Sequence, residues 1–217
     1  DAEGKQRGMR FAASARAVAL GGKVSNSDGV LAVKGADSVI LFIAGATDFR
    51  GDDPEKSCDR VLSRAAKQPY ERLKKEHVQE YQGYFNRVTL DLGKSDPALD
   101  SLPTNERLRK VREKPDPFME ELLFQYGRYL LISCSRPGCM PANLQGLWAE
   151  GIATPWNGDY HIDINVQMNY WPAEMTGLGD CHTPLFKLIE SLQEPGAETA
   201  KAYYNADGWV AHVITNV

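Results

Sequence analysis

The sequence contains no hydrophobic run long enough to cross a membrane. Its longest apolar stretch, Val39 to Ala46 with Gly45 inside it, is far shorter than the roughly 20 residues that a transmembrane helix needs. The first residues show neither an initiator Met nor a basic region leading into an apolar one, so no targeting signal is predicted. We expect the chain to begin inside a longer protein, and its 217 residues to form one large domain or two small ones.

Positive charge is scarce in the second half of the chain. Residues 1–114 carry a net charge of +4, whereas residues 115–217 carry −8, and all four Trp lie in the acidic part. An acidic, aromatic-rich segment repels phosphates, which argues against nucleic acid and nucleotide partners. A neutral ligand with hydroxyls and apolar faces suits this segment better.

The four cysteines have no C-x-x-C spacing, so the sequence predicts neither a zinc site nor a redox pair. Cys134 and Cys139 are close enough for a bridge if the residues between them form a turn, and buried free thiols are the alternative. No Gly-rich phosphate loop, Ser-His-Asp order or metal-ligand spacing occurs, and no cofactor or metal is expected.

Residues 1–50 are predicted to form the end of an antiparallel β-sandwich. Residues 9–20 alternate, with Met9, Phe11 and small residues on one face, which indicates a half-buried strand. Ser27-Asp28-Gly29 predicts a turn, and strands are predicted at 30–33 and 38–46. Three such strands leave one face uncovered, so we expect the covering layer to lie upstream of Asp1.

Residues 51–114 are predicted to form a helical linker, and residues 115–217 a helical domain. The spacing predicts linker helices over 54–67, 70–87 and 105–113, with a short strand over 88–92. Asp116-Pro117 and Thr183-Pro184 each predict a helix start, and a further helix is expected over about 195–204. Long aromatic-rich loops between such helices favour a barrel or bundle whose loops form a site.

The chemistry is concentrated between Asn143 and Trp171. Alternation predicts an extended segment over 160–166, with His161, Asp163 and Asn165 projecting to one side. A polar rim, or amides that satisfy nearby loops, would explain this pattern without a ligand. The density of polar side chains beside three Trp favours a sugar site, because a core does not tolerate so many without partners; these are Asn143, Gln145, Asn157, Asp159, His161, Asp163, Asn165, Gln167 and Asn169.

Asn143-Leu-Gln-Gly-Leu-Trp148, followed by Pro155-Trp-Asn-Gly-Asp-Tyr-His-Ile-Asp-Ile-Asn-Val-Gln-Met-Asn-Tyr-Trp-Pro-Ala-Glu174, resembles glycoside hydrolase family 95, the inverting α-L-fucosidases, which include some α-L-galactosidases. Residues 208–217 also resemble a family segment. The resemblance implies an N-terminal β-sandwich, a helical linker and the first part of an (α/α)6 barrel.

The resemblance also implies catalytic roles. In enzymes of this family, an Asn-x-Asn pair holds and activates the attacking water, and a downstream Asp supports this pair. A downstream Glu acts as the general acid. The second Asn is Asn165, but the first position is Asp163, which departs from the family pattern. We expect Asp163 to be the base, or to share that role with the Asp, while Asn165 orients the water. The competing interpretation is that Asp163 marks another substrate or weak fucosidase activity.

His161 matches a family histidine that contacts the sugar. The remaining expected substrate-binding residues are Trp156, Asp159, Tyr160, Asn143, Gln145, Trp148, Asn169 and His212. For each Trp, packing within the barrel is the alternative, and for His212 a satisfied core histidine is the commoner outcome. Glu150 and Glu174 are candidate acids, but Glu174 and His182 are expected to be structural, and His77 to be solvated.

The resulting interpretation is an exo-acting hydrolase of terminal α-L-fucosyl or α-L-galactosyl residues, with the general acid outside this incomplete piece. A non-catalytic carbohydrate-binding or scaffold module is the alternative. A phosphorylase needs a phosphate-binding site. Residues 115–217 contain only four Lys and Arg residues, which argues against this activity. The expected partner is a fucosylated or galactosylated glycan, and secretion or periplasmic residence is implied by the resemblance. The sequence does not predict the oligomeric state.

Overall fold

The computed structural model describes residues 8–215, and the chain divides between Gln79 and Glu80 into two compact units. The first unit contains four strands and a helix: β1 (Phe11–Leu20), β2 (Lys23–Ser27), β3 (Val30–Lys34), β4 (Ser38–Thr47) and α1 (Pro54–Ala65). The predicted combination of helices and antiparallel strands is confirmed, whereas the predicted domain limits at residues 50 and 114 stay predictions.

Strands β1 and β4 pair antiparallel along their whole length, from Phe11 opposite Thr47 to Leu20 opposite Ser38. Strands β2 and β3 form a hairpin whose turn residues, Asp28 and Gly29, both have positive φ, as a tight two-residue turn requires. The three predicted strands and this turn are confirmed. Strand β2 was missed because its sequence is mostly polar and all its residues are exposed.

The buried face of β1 is the opposite of the one that its apolar residues indicate. Helix α1 packs against Ala12 and Ala44 through Cys58 and Leu62, and Phe11 on the other face is 81% exposed. The small side chains at this contact let α1 approach the sheet closely, and Arg16 on the same face donates to Ser63 Oγ of the helix at 3.2 Å. The first unit therefore presents an uncovered apolar face.

The second unit is mainly helical. Its elements, with the helix that leads into it, are α2 (Tyr70–Phe85), α3 (Thr104–Lys110), α4 (Pro117–Cys134), β5 (Tyr160–His161), α5 (Asn165–Tyr170), α6 (Pro172–Met175), α7 (Thr183–Ser191), α8 (Gln193–Tyr204) and β6 (Ile214–Thr215), with short 3₁₀ turns at Pro97–Leu99, Pro155–Gly158 and Gly179–His182. The predicted helix starts at Pro117 and Thr183 are confirmed, as are the helices predicted over 54–67, 70–87 and 105–113 and the helix near 195–204. No helix within residues 8–215 combines the length and hydrophobicity that a bilayer crossing needs.

The prediction of a strand over 88–92 is wrong. Within residues 8–215, side chains, and no partner strand, form hydrogen bonds with the backbone amide and carbonyl groups of this segment. The amide of Leu92 donates to Glu121 Oε1 at 2.6 Å, and the carbonyl of Val88 accepts from Arg128 Nη1 at 3.3 Å. Arg128 is buried and also donates to the carbonyls of Phe85 and Thr176. Burial lowers the pKa of Arg128, and its contacts tie the end of α2 to α4 and to the residue after α6.

The core of the second unit lies between α4 and the helices that follow the aromatic-rich loops. Ile132, Ala173, Leu178 and Cys181 are fully buried at its centre, with the ring of Tyr170 beside them. A buried ion pair, Arg107 Nε to Asp116 Oδ2 at 2.6 Å, stands at the start of α4.

Candidate functional site

The segment predicted to be extended over 160–166 is a strand only at Tyr160 and His161. These residues pair with Thr215 and Ile214 of β6, and the amide of Ile162 donates to the carbonyl of Val213 at 2.7 Å. Beyond this bond the chain turns, and α5 begins at Asn165. The expectation that His161, Asp163 and Asn165 share one face of a strand is therefore wrong, because the strand's partner extends only as far as Val213.

The turn at Asp163-Ile164 is fixed on both sides by hydrogen bonds to backbone carbonyls, one from a side chain and one from a backbone amide. Gln167 Nε2 donates to the carbonyl of Ile162, and the amide of Met168 donates to the carbonyl of Ile164 at 2.8 Å. Ile164 has a φ of 82°, a backbone conformation that a β-branched residue rarely adopts.

Asp163 and Asn165, the predicted catalytic residues, are the two neighbours of Ile164 in the chain. Both are exposed, and within residues 8–215 no hydrogen bond holds either side chain. The carboxylate and the amide are thus open to solvent or to a ligand.

Helix α5 connects this turn to a second predicted segment. Asn165 and Asn169 are four residues apart, so they lie on one face of the helix. Asn169 Nδ2 donates to the backbone carbonyl of Asn143 at 3.0 Å. Asn143 and Gly146 form a tight turn in which the amide of Gly146 donates to the carbonyl of Asn143 at 3.1 Å. The structure therefore brings Asn143, Gln145 and α5 together.

Two tyrosines anchor the residues just before this turn. Tyr160 donates its hydroxyl to the carbonyl of Pro141 at 3.0 Å, and the hydroxyl of Tyr170 accepts from the amide of Ala142 at 2.7 Å. The Tyr170 hydroxyl also lies 2.6 Å from Ser135 Oγ. Burial raises the pKa of both tyrosines to about 12, so the hydroxyls stay protonated. Tyr160, expected to bind substrate, is buried and holds the loop.

The 3₁₀ turn Pro155–Gly158 supplies an exposed indole. Trp156 is 70% exposed, and its ring meets the His161 ring edge-on with centroids 6.2 Å apart. His161 Nε2 is buried without a hydrogen-bond partner among the described residues. A Cβ atom on Gly158 would lie 2.5 Å from Gln145 Oε1, so this turn packs closely against the Asn143–Gly146 turn.

A cavity of about 340 Å³ lies between α4, the Asn143–Gly146 turn and α5. Three predicted substrate-binding residues line it, namely Gln145, Trp148 and Asn169. The other lining residues are mostly apolar: Gly127, Leu130, Leu131, Cys134, Ala142, Leu144, Gly146 and Pro172. His161, Asp163 and Asn165 are not among the lining residues. The cavity meets α5, which begins at Asn165, through Asn169.

Two further residues predicted to bind substrate, His212 and Asp159, are not among the residues that line the cavity. The side chain of His212 is exposed, with Nε2 3.0 Å from the Tyr204 hydroxyl, so the expectation of a core histidine is wrong. The reason is that residues 209–213 run along the surface beside α8, although β6 then returns to pair with β5. Asp159 is buried.

The structural roles expected for Glu174 and His182 are confirmed. Glu174 Oε1 lies 2.7 Å from His182 Nδ1, and the His182 ring stacks between Tyr170 and Phe186. His77 is exposed, as expected.

Cys134 and Cys139 are free thiols, one buried and one exposed. The possible bridge between them is not formed, and the alternative of buried free thiols holds for Cys134 but not for Cys139. Within residues 8–215, no group of three His, Cys, Asp or Glu side chains is placed to hold a metal ion.

Comparisons with known proteins give a consistent result. The model of the glycosyl hydrolase family 95 catalytic domain matches residues 69–217. Alpha-L-fucosidase 2 of Arabidopsis thaliana is 40% identical over 225 residues, which cover 97% of this chain and 27% of that protein. Probable alpha-fucosidase A of Aspergillus niger is 46% identical over 76% of this chain and 21% of its own length, and that of Aspergillus oryzae is 37% identical over 99% and 32%. The chain thus spans about a fifth to a third of the length of these relatives.

Proposed function

The chain belongs to glycosyl hydrolase family 95, and from this premise we propose that it is part of an exo-acting glycoside hydrolase. The enzyme removes terminal α-L-fucosyl, or α-L-galactosyl, residues from glycans with inversion at the anomeric carbon. Its substrate is a fucosylated or galactosylated oligosaccharide or polysaccharide, met outside the cytoplasm.

The observation that carries this proposal is the hydrogen bond between Asn169 and the carbonyl of Asn143. It joins the helix that begins at Asn165 to the turn that carries Gln145, beside the cavity that Trp148 lines. Amides beside an indole fit a sugar, because hydroxyls need donors and acceptors while the C–H face of the ring packs on an aromatic.

In the proposed mechanism, Asp163 and Asn165 act on the attacking water. Inversion needs a base behind a water on one face of the sugar and an acid at the leaving oxygen on the other. The carboxylate of Asp163 takes the proton of the water, and the amide of Asn165 orients the water. The exposure of both side chains supports these roles.

The general acid, in this proposal, is a Glu outside these 217 residues. Glu174 is unsuited to the role because its carboxylate is engaged by His182. We expect the 217-residue chain to bind sugar weakly and to hydrolyse nothing.

The proposed architecture is the end of a β-sandwich, a helical linker and the first part of an (α/α)6 barrel. Phe11, Val39, Leu41 and Ile43 are exposed on one face of the β1–β4 sheet, which a second sheet would cover. Helices α3 and α4 line an apolar groove of about 430 Å³, which further barrel helices would fill.

Two alternatives differ in their support. A non-catalytic sugar-binding module is favoured by the exposed indoles of Trp156 and Trp171. A phosphorylase is disfavoured, because Arg128 is occupied by backbone carbonyls and Arg136 by Glu80.

The test is sugar release by the full-length protein from α-L-fucosyl and α-L-galactosyl oligosaccharides. We expect a free monosaccharide whose first-formed anomer, read by proton NMR before mutarotation, is β. Saturable sugar binding without release would favour the binding module, and a first-formed α anomer would contradict inversion.

A further inference from the structure

Five non-glycine residues within residues 8–215 have positive φ, and three of them flank the predicted site. Asp28 and Asn205 lie in a turn and at a helix end, where their residue types tolerate this conformation. Trp156, Asn157 and Ile164 lie within ten residues of one another. Ile164 is the least tolerant of the five, because both substituents on its Cβ crowd the backbone.

The surroundings of Ile164 hold it in this conformation. On its N-terminal side, the Ile162 amide is bound by Val213 and the Ile162 carbonyl by Gln167. On its C-terminal side, the Ile164 carbonyl accepts the first backbone hydrogen bond of α5, from Met168. A strained residue persists only where such contacts over-determine it, and such residues cluster at functional sites.

Glycine would relieve the strain, and the chain uses glycine freely for this purpose. Within residues 8–215, twelve glycines have positive φ. Position 164 nevertheless carries a β-branched residue whose side chain is 47% exposed, so burial in the core does not explain its presence there.

We propose that Ile164 is a positioning residue, whose strained backbone fixes the directions of the Asp163 and Asn165 side chains. A residue with a Cβ has narrow φ and ψ wells, so the pinned turn has one geometry. Glycine at this position admits several geometries, and the carboxylate and amide on its two sides lose their shared orientation. This inference rests on the proposed function, because Asp163 and Asn165 are its proposed catalytic pair.

The test compares Ile164→Gly with Ile164→Ala in the full-length protein. Both variants lose the Ile side chain, and only glycine loses the backbone restriction, so their difference isolates the backbone. We expect kcat on a fucosyl substrate to be about tenfold lower for I164G than for I164A, with similar KM, because small misplacements of reacting groups act mainly on turnover. Equal kcat for the two variants overturns the inference.

A comparison of the stabilities of the two variants tests whether the backbone at position 164 is strained, independently of any activity. Glycine normally destabilises relative to alanine, and the order reverses where φ is positive. We expect I164G to unfold at a higher urea concentration than I164A, and Met168→Gly, within α5, to unfold at a lower one than Met168→Ala. A lower midpoint for I164G than for I164A overturns the inference. A wild-type protein that releases no sugar overturns the proposed function and the positioning role with it, whereas the urea comparison still decides the strain.

Discussion

Asn169 and Asn143 are joined by a hydrogen bond of 3.0 Å from the side-chain amide of one to the backbone carbonyl of the other. The bond joins two residues that are 26 positions apart and links α5 to the Asn143–Gly146 turn, and both elements carry side chains expected to meet the ligand. The geometry of the site therefore depends on a contact between two amide-rich segments, each of which the sequence marks separately.

Replacing Asn169 with Ala should lower both stability and sugar affinity. The Asn143 carbonyl keeps the Gly146 amide but loses its second donor, a loss that typically costs about 1 kcal/mol. A similar loss of binding corresponds to a rise in KM of roughly fivefold to tenfold. Met168→Ala is the matched control on the same helix, because Met168 is exposed. Equal KM values for the two variants would contradict the role of Asn169.

Tyr170→Phe should destabilise the protein more than Tyr160→Phe. The first change leaves the Ala142 amide without its partner and also removes one of the two hydrogen bonds of Ser135 Oγ, which keeps its bond to the Cys181 carbonyl. The second change removes only the donor to the Pro141 carbonyl. The two variants therefore differ by one buried hydrogen bond, and we expect a difference of about 1 kcal/mol in the free energy of unfolding. Urea titration of both variants measures it, and a larger effect of Y160F would argue against this network.

Asp163→Asn should abolish most of the turnover without affecting folding. Loss of a general base typically lowers kcat by about 10²–10⁴-fold, while an exposed substitution shifts stability by less than about 0.5 kcal/mol. Glu190→Gln, on the exposed side of α7, is the control for a lost surface carboxylate. Unchanged turnover on fucosides would refute the base assignment. A changed preference between fucosyl and galactosyl substrates, without loss of rate, would instead favour a specificity role.

Asp116 should make the stability of the second unit sensitive to acid. Hydrogen bonds from Arg107 and Ser95 lower the pKa of Asp116 to about 2, from an ordinary value near 3.8. The stabilisation is therefore complete above about pH 4 and is lost as the pH falls towards 2.

Urea midpoints measured between pH 6 and pH 2 test this dependence. The wild type should lose more stability over this range than Asp116→Asn. Asp100→Asn removes an exposed partner of the same arginine and should keep the acid-side loss. Parallel pH profiles for the wild type and D116N would show that Asp116 is not the titrating group.

One thiol should react with a disulfide reagent in the native protein and four after denaturation. Cys139 is exposed, whereas Cys58, Cys134 and Cys181 are buried. Burial also raises the pKa values of Cys134 and Cys181 to about 11, so little thiolate forms at pH 8. Cys139→Ser should abolish the native reaction. Only two reactive thiols after denaturation without reductant would indicate that a bridge exists.

Local signals in the sequence were sufficient for the helices. Asp116-Pro117 and Thr183-Pro184 start helices where expected, because a proline at the first position costs no hydrogen bond and its φ suits a helix. The face of β1 that α1 covers is not predicted, because it carries Ser14 and Arg16, while Phe11, Ala13 and Ala15 lie on the exposed face.

The sequence marks the segments of the candidate site, but it does not predict their geometry. The density of polar side chains identifies the segments around Asn143 and His161, because this identification needs only the local composition. The turn at Ile164 could not be predicted, because residues 160–166 alternate like a strand while their partner, β6, lies far along the chain. Ser135 was missed for the same reason, since its bond to Tyr170 spans 35 residues.

The pairing of β5 with β6 has a consequence for the order of events during synthesis. Tyr160 and His161 have no strand partner until Ile214 and Thr215 have left the ribosome. Contacts between residues so far apart in the chain form slowly, because the intervening segment must be ordered first. The helices before and within this segment can fold as they emerge, whereas the turn between Asp163 and Asn165 acquires its final shape last. A nascent chain stalled before residue 214 should therefore be helical while the proposed sugar site is still unformed.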